Sequence, residues 1–208
     1  MLSSTVDSTR PLEPMSALDT LSPPITTLIR LDHAHVLAAF RRFRSTMAPS
    51  RKGALIANVC LALEIHAQLE EEIFYPALTK AAEYSEVLEK SVPEHEEMRE
   101  LIGMLRKLEP QDPSFDESFR TLMRKLLHHV ADEETVLLPQ AEIALASQLS
   151  TLGARMTRRR IALLEPHMGE VARTTVQTFP IAAAMGAISL GFMLWLAMRA
   201  LWARSRTF

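Results

Sequence analysis

The chain has 208 residues, with 23 basic and 25 acidic side chains, a formal net charge of −2 and 48% apolar content. The length suits one domain, and the composition excludes a disordered chain, a disulfide-rich secreted module and a collagen-like fibre. A strongly basic nucleic-acid binder is excluded too, although the charge is uneven: residues 20–150 hold 14 basic against 20 acidic side chains, and residues 151–208 hold eight arginines against two glutamates.

In chain order, residues 1–22 carry Ser, Thr and Pro with no apolar run and read as a flexible leader. Without a continuous apolar core segment there, no signal peptide is predicted. Only six glycines serve the whole chain and no sustained period-two alternation appears, so strands are not expected. Stretches rich in Ala, Leu, Glu, Arg and Met favour helix. Four helices are predicted: residues 25–46, residues 52–82, a third starting at a Ser91 N-cap with Pro93 in its first turn and ending before Pro110, and residues 114–150. Short connections between long helices make an all-α, up-down-up-down four-helix bundle over residues 23–150 the economical architecture. The single cysteine, Cys60, allows no intrachain disulfide and fits a reducing compartment. Its neighbours Val59, Leu61 and Leu63 mark it as a small buried side chain.

Beyond the bundle, residues 151–178 read as a basic juxtamembrane linker with Arg155, Arg158, Arg159 and Arg160. Residues 179–198 carry no charge. As a helix they would span about 30 Å, the thickness of a bilayer core, which predicts a single transmembrane helix. Trp195 and Trp202 lie near its end, and residues 199–208 form a basic tail. Five arginines on the bundle side against three beyond favour a membrane protein with a single-pass C-terminal anchor and a cytoplasmic bundle. Small residues four apart, Ala182/Gly186 and Ala187/Gly191, point weakly to a homodimer.

The chemistry lies in the histidines. His66-Ala-Gln-Leu-Glu70-Glu71 is followed by Pro76, and His129-Val-Ala-Asp-Glu133-Glu134 by Pro139, at identical spacing. Residues four apart share a helix face, so His66/Glu70 and His129/Glu133 can each point two groups inward. His33 precedes His66 by 33 residues and His95 precedes His129 by 34; each follows an acid, Asp32 or Glu94. That register selects His33 over His35 and His129 over His128, the latter with Asp132 as a weaker alternative partner. His35, His128 and His167 read as ordinary histidines, and Glu71, Glu72 and Glu134 as solvated groups or supports behind the ligands. The prolines should kink or end their helices just past the site. Buried carboxylates need cations. Imidazole with carboxylate suits iron or manganese, and the lack of cysteine ligands argues against structural zinc. Four histidines and two bridging glutamates can hold two metals and leave positions open for dioxygen, nitric oxide or peroxide.

The segments DHAH around His33, HAQLEEEIFYP from His66, EHEEM around His95 and HVADEETVLLP from His129 resemble the hemerythrin-like, or HHE cation-binding, domain over about 125 residues. The resemblance implies a four-helix bundle with two non-haem iron ions and His33, His66, Glu70, His95, His129 and Glu133 as ligands. Oxygen-carrying hemerythrins have a further histidine one turn after the first of the third helix; here that residue is Arg99, which argues against simple reversible oxygen storage. Family members that repair iron centres carry an N-terminal cysteine region, and this chain has no cysteine before Cys60. The expectation is a membrane-tethered di-iron protein that binds dioxygen or a related ligand for sensing, scavenging or delivery, more a binding protein than an enzyme. The alternatives are an iron-dependent oxidase or peroxidase and a metal-binding adaptor bundle.

Overall fold

The computed structural model describes residues 22–82 and 85–169. The described residues are helical, with no strand: α1 (Ile25–Arg42), α2 (Pro49–Leu69), a π-turn (Glu70–Phe74), α3 (Tyr75–Ala81), α4 (Glu86–Leu105), α5 (Phe115–Asp132), a second π-turn (Glu133–Leu137), α6 (Leu138–Ala144) and α7 (Leu149–Leu164), closed by a 3-10 turn (Glu165–His167). α1 stops at Arg42 because Phe43 turns extended and drops into the core, its ring 5.0 Å from that of Phe119. The third predicted helix begins earlier than expected. Ser85, not Ser91, caps α4 by accepting the Leu88 N–H, so Pro93 lies inside the helix. Ser91 is buried and donates back to the Val87 carbonyl.

Side-chain pairs give the helix directions. Glu97 meets Lys125 and Glu94 meets His129, so α4 and α5 run in opposite directions. Glu64 pairs with Arg106 and Glu71 with Arg99, so the stretch containing α2 opposes α4. Arg30 pairs with Glu142 and Ser45 accepts from Arg120, so the α1 segment opposes α5 and α6.

The interior has two apolar clusters. One gathers Val36, Phe43, Ile56, Val59, Met98, Ile102, Phe119, Leu122 and Leu126. The other gathers Ile25, Ile29, Leu69, Phe74, Leu78, Leu137, Leu138 and Met156. Cys60 belongs to the first, and burial pushes its thiol up to about 12.

Two expectations are corrected. Residues 149–164, which include the start of the expected basic linker, form α7, a further helix that buries Leu152, Ala154 and Met156, with Leu152 and Met156 in the second cluster. α7 runs alongside α1 in the same direction, with Gly153 beside Pro23 and Ile25 and Arg160 beside Asp32. The expected membrane anchor is corrected to what the described residues show. No helix among the described residues is long and apolar enough to cross a membrane. α2, at 21 residues, carries Arg51, Lys52 and Glu64, charges that a bilayer core would not accept. The segment 179–198, with its small-residue pairs, and the basic tail lie outside the described residues, as do residues 1–21 of the expected leader.

Candidate metal centre

Between the two apolar clusters lies a polar layer. α1 contributes His33, α2 contributes His66, α4 contributes His95 and α5 contributes His129. Glu70 and Glu133 open the two π-turns. All six side chains are buried, Glu70, His95 and Glu133 completely. Their inward atoms converge. His66 Nε2 lies 3.2 Å from Glu70 Oε2, and His95 Nε2 lies 3.4 Å from the same oxygen. His33 Nε2 and His129 Nε2 lie 3.3 and 3.5 Å from Glu133 Oε2. The Nε2 atoms of His95 and His129 are 3.0 Å apart. Two donor groups suited to a metal ion result, His33/His66/Glu70/Glu133 and Glu70/His95/His129, and Glu70 is common to both.

The opposite ring nitrogens face outward, each onto a carboxylate. His33 Nδ1 donates to Glu134 at 2.9 Å, His66 to Asp32 at 3.4 Å, His95 to Glu71 at 2.9 Å and His129 to Glu94 at 2.8 Å. This is the arrangement that fixes the tautomer leaving Nε2 for a metal. The crossing follows the internal repeat. The acid before the first histidine of each half, Asp32 or Glu94, holds the second histidine of that half. The acid after each inward glutamate, Glu71 or Glu134, holds the first histidine of the other half. Glu72 instead faces solvent, paired with Arg159 and Gln68.

The electrostatics are those of a site built around cations. Burial pushes the His95 imidazole down, but Glu70, Glu71 and Glu133 outweigh it and raise it to about 9. The same opposition raises His33 to about 8. Burial pushes the Glu133 carboxyl up, yet the surrounding histidines hold it below the usual carboxylate range. Burial pushes Asp32 up as well, and His66 and Arg160 outweigh it to hold it at about 2. The buried atoms His33 Nε2, His66 Nε2, Glu70 Oε1 and Glu133 Oε2 have no hydrogen-bond partner. Orphaned buried donors and acceptors are costly. Four such atoms in one layer fit metal ions, which would satisfy them together.

The sequence pattern did not single out Tyr75. Its hydroxyl donates to Glu133 Oε1 at 2.8 Å and lies 3.2 Å from Glu70 Oε2 and 3.4 Å from His95 Nε2. In a regular α-helix a residue five beyond Glu70 points well away from it. The π-turn closes i→i+5, with the Tyr75 N–H on the Glu70 carbonyl, and brings the two side chains together. The tyrosine just before Pro76 was the available signal; its counterpart before Pro139 is Leu138. Arg99 forms a two-point ion pair with Glu71, behind His95. His35 and His128 are exposed and His167 is half-buried. His128 does form a surface group with Glu94 and Asp132, but Lys90 already sits on both carboxylates.

A 124-residue stretch is 27% identical to a protein named DNA nickase from Nostoc sp. (strain PCC 7120 / SAG 25.82 / UTEX 2576), over 60% of this chain and 35% of that protein. The chain thus spans about a third of that relative's length. The crystal structure of a Hemerythrin HHE cation binding domain-containing protein from Mycobacterium kansasii superposes with a TM-score of 0.59 at 19% identity, covering 77% of this chain and 96% of that one, which shows a shared fold. Residues 25–141, more than half of the chain, match the family model of the Hemerythrin HHE cation binding domain. With all six converging residues inside that match, the chain belongs to the hemerythrin HHE cation-binding family.

Proposed function

We propose that the bundle holds two iron ions at His33, His66, Glu70, His95, His129 and Glu133, and there binds dioxygen or a related small ligand, nitric oxide or peroxide, for sensing, scavenging or delivery. The observation that carries this reading is the pair of buried donor groups sharing Glu70. Imidazole and carboxylate donors suit iron, with manganese as the alternative ion. Iron held by these residues would supply one-electron redox chemistry and affinity for a diatomic ligand. The chain's own residues do the rest. Asp32, Glu71, Glu94 and Glu134 orient the rings. The two apolar clusters exclude water. Tyr75 offers a hydroxyl proton inside the layer, and burial with the charges of Glu70 and Glu133 holds that phenol protonated, well above its usual range.

The Tyr75 hydroxyl also favours a second reading, an iron-dependent oxidase or peroxidase, because a positioned proton donor serves catalysis as well as binding. The surplus of acidic side chains over residues 20–150 disfavours contact with a phosphate backbone, so nicking of DNA is not carried over from the Nostoc relative.

The test is anaerobic loading of the full chain with ferrous iron, followed by metal analysis and stopped-flow mixing with dioxygen, nitric oxide and peroxide. About two irons per chain are expected, falling to one or none in His66→Ala and His129→Ala. Less than one iron in the unaltered chain would sink the di-iron reading. A stable optical adduct supports binding, and sustained consumption supports turnover.

A further inference from the structure

α7 lies beyond the residues that match the family, yet it reaches the metal centre. Leu149, Leu152, Met156, Arg160 and Leu163 recur every three or four residues and share one face of α7. That face packs on the second apolar cluster. Arg160 therefore stands at a core-facing position where an apolar residue is the default. Its guanidinium forks onto Asp32, Nη1 to Oδ1 and Nη2 to Oδ2, the latter at 2.6 Å. Its Nε is buried without a partner. Asp32 Oδ2 is also the atom that accepts from His66 Nδ1, and His66 Nε2 faces Glu70. One connected path thus runs from α7 through α1 to α2 and into the cluster.

The neighbouring arginine makes the contrast. Arg159 forks onto Glu72 at 2.6 and 2.8 Å, with both partners more than a third exposed. The two arginines share a helix and a charge, and each forks onto a carboxylate of its own. They differ in that only the partner of Arg160 holds a histidine of the centre.

We infer that Arg160 is a positioning residue of the metal centre: through Asp32 it fixes the His66 ring with Nε2 toward Glu70, so that α7 is part of the binding site. This rests on the metal reading of the six converging residues. A carboxylate behind a ligating histidine fixes its ring and tautomer, and loss of such a support typically lowers metal affinity about 10- to 100-fold. The bidentate fork is what a lysine cannot reproduce.

The experiment uses the full chain as wild type, Arg160→Ala, Arg160→Lys, Arg159→Ala, Asp32→Asn and Arg160→Ala/Asp32→Asn. Ferrous iron affinity is measured anaerobically by competition with a chromophoric chelator, and cobalt(II) absorption reports ligand geometry. Arg160→Ala should lose about tenfold in affinity for one ion and change the cobalt spectrum. Arg160→Lys should recover only part of that. Arg159→Ala should match wild type in both readouts, and the double variant should be no worse than Asp32→Asn alone. Arg160→Ala within twofold of wild type with an unchanged spectrum overturns the inference, as does an equal loss in Arg159→Ala, which would mean that α7 acts only by docking. If Arg160→Ala fails to fold, Asp32→Asn decides: a folded variant with wild-type affinity and spectrum is overturning. A wild-type chain that takes up no metal overturns the metal reading itself, whereas normal uptake with an indifferent Arg160→Ala overturns only the role of Arg160.

Discussion

On the proposed metal reading, an ion entering the centre displaces protons from His33 and His95. Burial alone would lower both imidazoles; the facing carboxylates instead raise them to about 8 and about 9. With folded values above the unfolded 6.5, their charged forms stabilise the metal-free bundle fully below pH 6.5, and that contribution is lost as pH rises through 8 and 9. Metal uptake has the opposite dependence. At pH 7 it should release about two protons per chain, and affinity should climb between pH 6.5 and 9. Titration calorimetry in buffers of different ionisation enthalpy measures the release; uptake without proton release contradicts the assignment of these rings. Tyr75 gives a second expectation at this scale. Tyr75→Phe removes the donor 2.8 Å from buried Glu133 Oε1. The metal-free chain should lose about 1–3 kcal/mol in urea unfolding, while iron content stays at the wild-type value because the phenol is not one of the six converging groups.

The instructive elements are the two π-turns and α7. Each π-turn starts at an inward glutamate and ends just before a proline, Pro76 or Pro139. Proline has no N–H for the i→i−4 bond and its ring crowds that carbonyl. Widening the preceding turn absorbs the misfit without a break, so the expected kink appears as a change of winding at the site. The proline spacing was legible in the sequence, but the winding was not, and with it went Tyr75: a 3.6-residue period places that side chain off the face that a π-turn restores. α7 was missed for a different reason. Four arginines at 155, 158, 159 and 160 dominate its composition, although Leu149, Leu152, Met156 and Leu163 carry the helical period. Its docking is tight. A Cβ at Gly153 would lie 2.0 Å from the Pro23 carbonyl oxygen, a backbone atom with little freedom to yield. Gly153→Ala should therefore destabilise the chain by about 1–3 kcal/mol. It should also speed amide exchange across α7; exchange equal to wild type would mean that the helix does not depend on this contact.

For the whole molecule, the polar layer separates two apolar clusters, and its unpartnered buried atoms weaken the metal-free fold where the chain's halves meet. A ligand that binds only the folded state stabilises it in proportion to the logarithm of its concentration over Kd. Ferrous iron at about 100 times Kd should add about 2.7 kcal/mol per site, and a chelator should reverse the gain. Thermal unfolding at graded iron concentrations checks this, and a Tm indifferent to iron would count against a metal tied to folding. Phe119, fully buried and edge-on to Phe40 and Phe43, supplies the contrast. Phe119→Ala should cost about 3–5 kcal/mol with or without iron, because it belongs to the apolar cluster rather than to the polar layer.

The sequence by itself determined the helical class, the internal repeat and the six residues that converge, because helix periodicity and His-x3-Glu spacing are local and need no partner to be read. It could not determine what stands behind those residues. Asp32 and Glu94 adjoin His33 and His95 in sequence but hold His66 and His129 in space, since adjacent residues on a helix point about 100° apart and the tertiary packing chooses which ring each meets. The same packing draws Arg160 from a helix that composition alone presented as a basic linker, and the π-turns bring Tyr75 to the two glutamates. Donor identity was set locally. The orientation, protonation and coupling of the donors were decided by which helices came together.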